Sequence, residues 1–169
     1  FQCGVDLAGP SNLVRLISST PEWWTWQRPQ FVNRVGDPTT KDGAADLMRR
    51  SPIARVDAIS KPLLVTNGAN DPRIFPDQSE EIVEALKARG KPVTYAFYPD
   101  EGHVYAKDAT NISFAAIAEH FLSKCLGGPA QPYGNDLAGS HVELKAGAAL
   151  VPGLEQAFAA SGGAAKAGK

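Results

Sequence analysis

The sequence predicts an α/β fold built on a parallel sheet with crossover helices. Three observations carry this. KPLLVTNG and KPVTYAFYP are short apolar runs of the kind that form strands covered on both faces. Between them, PDQSEEIVEALKARG places Ile82, Val83 and Leu86 on one helical face. After the second run, NISFAAIAEHFLSKCLGG places Phe114, Ile117, Ala118, Phe121 and Leu122 at i, i+3, i+4, i+7 and i+8. Strands that alternate with helices in this way imply βαβ units.

The remaining elements follow in order. QCGVDLA reads as a buried strand ended by Gly9-Pro10. Ser11 or Asn12 is placed to cap a helical turn that carries Leu13, Leu16 and Ile17 and stops at Pro21. Residues 22–35 hold all three tryptophans, Trp23, Trp24 and Trp26. Gly36-Asp37-Pro38 is a turn, and Asp42 to Arg50 is a short helix. In the central helix, Asp77 or Ser79 is expected as the cap, and Gly90 suits the position just past its end. The last long helix is expected to start at Thr110 or Asn111 and to end at Gly127-Gly128.

From Pro129 the composition shifts to Gly, Pro and Asn. We expect a domain over 1–128, an extended, irregular C-terminal tail over 129–157 with a short helix near VPGLEQAF, and disorder over 158–169. Three strands alone would leave both edges of the sheet unpaired. Further strands are therefore expected on the N-terminal side. The chain also opens on Phe1 inside an apolar segment, FQCGVDLAG, which suggests a fragment or processed product.

Composition narrows the function classes. The 169 residues are 43% hydrophobic and 21% charged, as in an ordinary soluble domain. The net charge is −1 with no basic block, which argues against nucleic acid as a partner. No apolar run approaches a membrane span, and no signal-like segment opens the chain. Cys3 and Cys125 match no metal-ligand spacing, and we expect buried free thiols. Two cysteines do not fix a redox compartment.

The chemistry lies in two loops. In open α/β sheets, ligands sit beyond the carboxyl ends of the strands. Asn70-Asp71-Pro72-Arg73 follows one strand and Asp100-Glu101-Gly102-His103 follows the next. Asp71 is thus placed to accept Nδ1–H of His103 and fix its tautomer, which would make His103 a general base through Nε2. Each loop alone is also an ordinary turn. The order Asp then His, one βαβ unit apart, is that of α/β-hydrolases, where the serine comes first. The chain has no G-x-S-x-G, and Ser11, Ser140 and Ser161 sit on no strand-to-helix elbow. His120 and His141 read as structural or solvated.

GANDPRI, ALKARGKPV, YAFYPDEGHVYAK and FLSKCLGG, with CGVDLAGPSNLVRLI, TPEWW, RVGDP and SPIARVDAISKPLLV, resemble the C-terminal part of the prolyl oligopeptidase family of serine peptidases. The acylaminoacyl-peptidase and dipeptidyl-aminopeptidase-like members are the most similar. The resemblance covers residues 1–128. It implies the C-terminal half of an α/β-hydrolase fold, with Asp71 and His103 as the catalytic pair and Arg73 reaching a substrate carbonyl. It places the nucleophile in a G-x-S-x-G-G elbow upstream of Phe1. A surface salt bridge is the other reading of Arg73. Trp23 and Trp24 fall where this fold often builds a wall of the substrate pocket, although packing between helices would also explain them. Val104-Tyr105 stands where the family usually has a small residue and an aromatic.

The implied function is hydrolysis of short peptides, with no metal or organic cofactor. The implied partners are a peptide substrate and the N-terminal remainder of the same enzyme, as a separate or missing chain. This chain alone would then be inactive. Homo-oligomerisation, the P1 preference and a cytoplasmic or periplasmic location are left open. An esterase or dienelactone-hydrolase-like enzyme, or a non-catalytic association module, are the alternatives.

Overall fold

A computed structural model, which describes residues 1–163, contains one sheet of four strands. They are β1 (Gly4–Leu7), β2 (Leu63–Gly68), β3 (Val93–Tyr98) and β4 (Glu143–Ala146), in that order across the sheet. The first three are parallel, with Gly4 opposite Leu63 and Leu63 opposite Val93. Between β1 and β2 lie α1 (Leu13–Ser18), a 3-10 turn over Glu22–Gln27, α2 (Arg28–Arg34), α3 (Lys41–Arg50) and a second 3-10 segment over Pro52–Ala58. Then α4 (Pro76–Lys87) joins β2 to β3, α5 (Asp108–Leu126) follows β3, and α6 (Leu154–Ala160) follows β4.

The apolar runs are continuous because both faces of the sheet are covered. Successive side chains of a strand point to opposite faces. Leu64, Ala96 and Tyr98 pack with Ile117 and Phe121 of α5. Val65, Val93, Tyr95 and Phe97 pack with Ile82, Val83 and Leu86 of α4.

Both long helices start earlier than their side chains suggest. α4 begins with Pro76 at its first position, where a missing N–H costs nothing. Asp77 does not cap it but pairs with Arg15, and Ser79 is buried. α5 begins at Asp108 rather than at Thr110 or Asn111. It ends on Gly127, which takes the left-handed conformation at φ 78°.

Three expectations are corrected. The segment after Pro129 is not only an extended tail: β4 pairs antiparallel with β3 and covers the edge expected to be open. The alternation in HVELKA explains this, since Val142 and Leu144 are buried while Glu143 and Lys145 take the opposite face and are partly exposed, Lys145 pairing with Glu80. Second, disorder from residue 158 is wrong for the first part of that stretch. Phe158 is buried in α6 beside Leu154 and Tyr133, and residues 164–169 lie outside the described residues. Third, Cys3 and Cys125 are joined in a disulfide, with Cα atoms 6.2 Å apart. α5 lies across the sheet face, and its last turn returns to the start of β1. That juxtaposition depends on topology, so the 122-residue separation hid it.

The edge strands among the described residues are β1, where Val5 and Leu7 are exposed, and β4. No helix among the described residues is long and apolar enough to cross a membrane.

Candidate active site

The site is built where β2 and β3 end. Their ladder continues past the strands, with Ala69 N–H donating to Tyr98 O at 2.9 Å and Asn70 N–H to Glu101 O at 2.8 Å. These bonds join the NDPR and DEGH loops. They require glycine at the end of β2, because a Cβ on Gly68 would lie 2.4 Å from Glu101 O and 2.5 Å from Gly102 O.

Asp71 is completely enclosed. Its Oδ1 accepts the backbone N–H of Arg73 at 2.8 Å and of Ile74 at 2.9 Å. Asn67 Nδ2 holds the far side of the loop through Ile74 O at 3.3 Å. These contacts leave Oδ2 pointing at His103, with Nδ1 at 2.8 Å. A carboxylate can only accept, so Nδ1 carries a proton, and in the neutral imidazole the lone pair is then on Nε2. Nε2 has no hydrogen-bond partner among the described residues, and the His103 side chain is 30% exposed. An oriented, neutral imidazole with a free Nε2 can take a proton from a hydroxyl or water.

His103 rides on a loop anchored on both sides. Tyr105 is buried two residues on, with its ring 4.8 Å from that of Tyr98 and 5.8 Å from that of Phe114. Its carbonyl accepts Asn111 Nδ2 at 3.1 Å. Val104 between them is 74% exposed, so it can form a wall beside the base without crowding it. Before the histidine, the Glu101 carboxylate accepts the N–H groups of Ala106 and Lys107. Burial pushes this carboxyl up, but those donors, the Thr110 hydroxyl and the Lys107 charge outweigh it and hold it below the ordinary range.

Arg73 makes no ion pair among the described residues. Its guanidinium lies 5.8 Å from the ring centre of Trp23 and 5.4 Å from that of Trp24. The two indoles stack at 5.7 Å, and Trp24 packs edge-on against Phe31 at 5.4 Å. Stacking uses the face of a guanidinium and leaves its in-plane N–H donors free. Trp23 is 54% exposed, so this cluster is not a sealed interhelical core. Trp26 is more exposed still and stacks on neither ring.

The other candidates separate from the site. His120 stacks on Tyr133 at 3.9 Å, and Nδ1 of His141 lies 2.9 Å from Asp100. Ser11 and Ser140 are buried and donate to the carbonyls of Gln78 and Leu137. A cavity of about 610 Å³ opens at the start of β3, lined by residues such as Lys91, Val93 and Gly147. That is the opposite end of the strand from His103, and it takes no part in this chemistry. No cluster of three or more potential metal ligands occurs among the described residues. Gly68 and Glu101 shape the two loops in ways that the sequence did not reveal. Asn67-Gly68 reads as a turn, and nothing marks a surface-loop glutamate as buried.

Comparison with known proteins gives a consistent picture. The profile of the prolyl oligopeptidase family matches residues 1–129. Dipeptidyl aminopeptidase BIII of Pseudoxanthomonas mexicana is 48% identical over 158 residues, covering 94% of this chain and 23% of that protein. Dipeptidyl peptidase family member 6 of Caenorhabditis elegans is 41% identical, covering 79% of this chain and 18% of its own length. The chain therefore spans about a fifth of these curated relatives. Among solved structures, a puromycin-hydrolyzing peptidase of Mycobacterium tuberculosis superposes with a TM-score of 0.66 at 26% identity, covering 76% of this chain and 19% of that one.

Proposed function

The chain belongs to the prolyl oligopeptidase family, a family of serine peptidases, and from its site we propose that it carries the general base and the orienting acid of a peptide-hydrolysing active site. The observation that carries this is the 2.8 Å contact between His103 Nδ1 and the enclosed Asp71 carboxylate. In this reading, Nε2 of His103 takes the proton of a serine hydroxyl as its oxygen attacks the scissile carbonyl. His103 then gives the proton to the leaving amine. Water hydrolyses the acyl-enzyme by the same route in reverse. Asp71 stabilises the imidazolium at each stage.

In this reading the serine stands in a G-x-S-x-G-G elbow outside this sequence, as the likeness to the family implies; residues 1–169 contain no G-x-S-x-G. Arg73 offers in-plane donors to a carbonyl of the bound peptide, and Trp23 and Trp24 give that peptide an apolar wall. The substrate is a short peptide cut near its N-terminus. The similarity to a dipeptidyl aminopeptidase supports that choice.

The test is covalent labelling of the full-length protein by a fluorophosphonate. The wild type should label and His103→Ala should not; full labelling of the variant would remove His103 from the role of base. Arg73→Ala separates peptidase from esterase. Loss of a charged hydrogen bond is worth about 1.5–3 kcal/mol, so peptide turnover should fall about 10- to 150-fold. Small-ester turnover should change little, and equal losses would make Arg73 structural.

A further inference from the structure

We propose that Glu101 is the positioning residue for His103, a clamp that fixes the base loop against both β3 and the Asp71 loop. The proposal rests on the reading of His103 as the base. Every polar group of Glu101 is committed. Its N–H donates to Tyr98 O at 3.3 Å, and its carbonyl accepts Asn70 N–H at 2.8 Å, one residue before Asp71. One carboxylate oxygen accepts Ala106 N–H at 2.9 Å, and the other accepts Lys107 N–H at 3.1 Å. The side chain is buried although the loop around it is at the surface.

These bonds make a closed ring of residues 101–107 with His103 inside it. Loops that present catalytic groups are ordinarily the soft parts of a domain. Here the ring is closed by a carboxylate, whose two oxygens accept two adjacent N–H groups at once. Those N–H groups lie at the start of α5, where they have no helical partner and where a negative charge is favoured. Because the Glu101 backbone also holds Asn70, one residue sets the position of His103 relative to Asp71. A shift of about 1 Å in such a pair can cost on the order of 10²-fold in rate.

The neutral isostere isolates this role. In Glu101→Gln, one carboxylate oxygen becomes an NH₂ that faces a backbone N–H, so one of the two bonds is lost. The measurement is the downfield Nδ1–H proton of His103 in the full-length protein, together with kcat and KM on a peptide substrate. Glu101→Gln should broaden that resonance or speed its exchange with water at least tenfold, and should lower kcat about 10- to 100-fold with KM little changed. An unchanged resonance with kcat within twofold would overturn the proposal.

A second pair guards against a variant that does not fold. Lys107→Pro removes one clamped N–H and Lys107→Ala keeps it, while both lose the same side-chain charge. The proline variant alone should reproduce the effect, and equal behaviour of the two would also overturn it. The resonance does not depend on turnover. If His103→Ala still labels with a fluorophosphonate while Glu101→Gln still frees the Nδ1 proton, the peptidase reading fails and the clamp stands.

Discussion

Replacing Asp71 with asparagine changes one atom and should disable the base through its tautomer. The side chain is enclosed, and its Oδ1 accepts from Arg73 N–H and Ile74 N–H. An asparagine must therefore keep its carbonyl oxygen there. Flipping the amide would aim its NH₂ at two backbone donors, at about 1–3 kcal/mol for each donor left unsatisfied. With the carbonyl fixed, the NH₂ faces His103 Nδ1 and needs an acceptor. The imidazole then moves its proton to Nε2, the nitrogen that receives the serine proton in the proposed mechanism. Restoring the productive arrangement costs about 2–6 kcal/mol, a factor of about 30 to 10⁴ at 1.4 kcal/mol per tenfold. Removing the charge opposite the imidazolium adds a further tenfold or more. We expect kcat/KM of the full-length enzyme on an aminoacyl-nitroanilide to fall by about 10³-fold or more, with nitrogen chemical shifts showing an unprotonated Nδ1. Activity within tenfold of wild type, or a protonated Nδ1 in the variant, would refute this reasoning.

Gly68→Ala should destabilise the fold by about 1–3 kcal/mol, because its methyl would meet the Glu101 and Gly102 carbonyls at 2.4 and 2.5 Å; an unchanged thermal midpoint would show that the loops can part without cost. Cys3→Ser opens a 122-residue covalent loop and should cost about 2–5 kcal/mol. Chemical denaturation measures it, and alkylation of two free thiols in the unreduced wild type would contradict the pairing. Burial raises the Asp6 carboxyl above its ordinary value, and the Gly9 N–H offsets this only in part. A raised acid contributes stability below its unfolded pKa of about 3.9 and loses that contribution as pH climbs through its folded value. Asp6→Asn should therefore melt higher than wild type at pH 7, with the gain shrinking toward pH 4; a gain independent of pH would point to packing instead.

What could be read from the sequence divides along the range of the interactions. The helix–strand alternation rests on local periodicity, and it placed β2, α4, β3 and α5 within a few residues. The Asp71–His103 contact was legible for a topological reason: adjacent parallel strands joined by one helix must deliver their following loops to the same sheet edge. The misses involve partners that no local pattern announces. β4 is four residues long, and the alternation of Val142, just before it, with Leu144 was masked by the Gly- and Pro-rich chain upstream. Cys3 and Cys125 meet only because α5 runs back over β1.

Glu101 is the most instructive case. In DEGH it looks like one of two solvated carboxylates beside a histidine, and its neighbour Asp100 does behave that way. Asp100 pairs at the surface with Lys107 and His141, which hold its carboxyl below the ordinary range. What distinguishes the two residues is direction. After Tyr98 the chain turns so that Glu101 points inward under the start of α5, where two unpartnered N–H groups wait, while Asp100 points out. A buried carboxylate is costly unless its acceptors are filled, and here backbone donors from the next helix fill them. The same bonds that make its burial tolerable also fix the loop carrying His103. Stability and catalytic geometry at this position therefore cannot be changed separately by removing the carboxylate, whereas Lys107→Pro, which leaves Glu101 in place, removes one bond at a time.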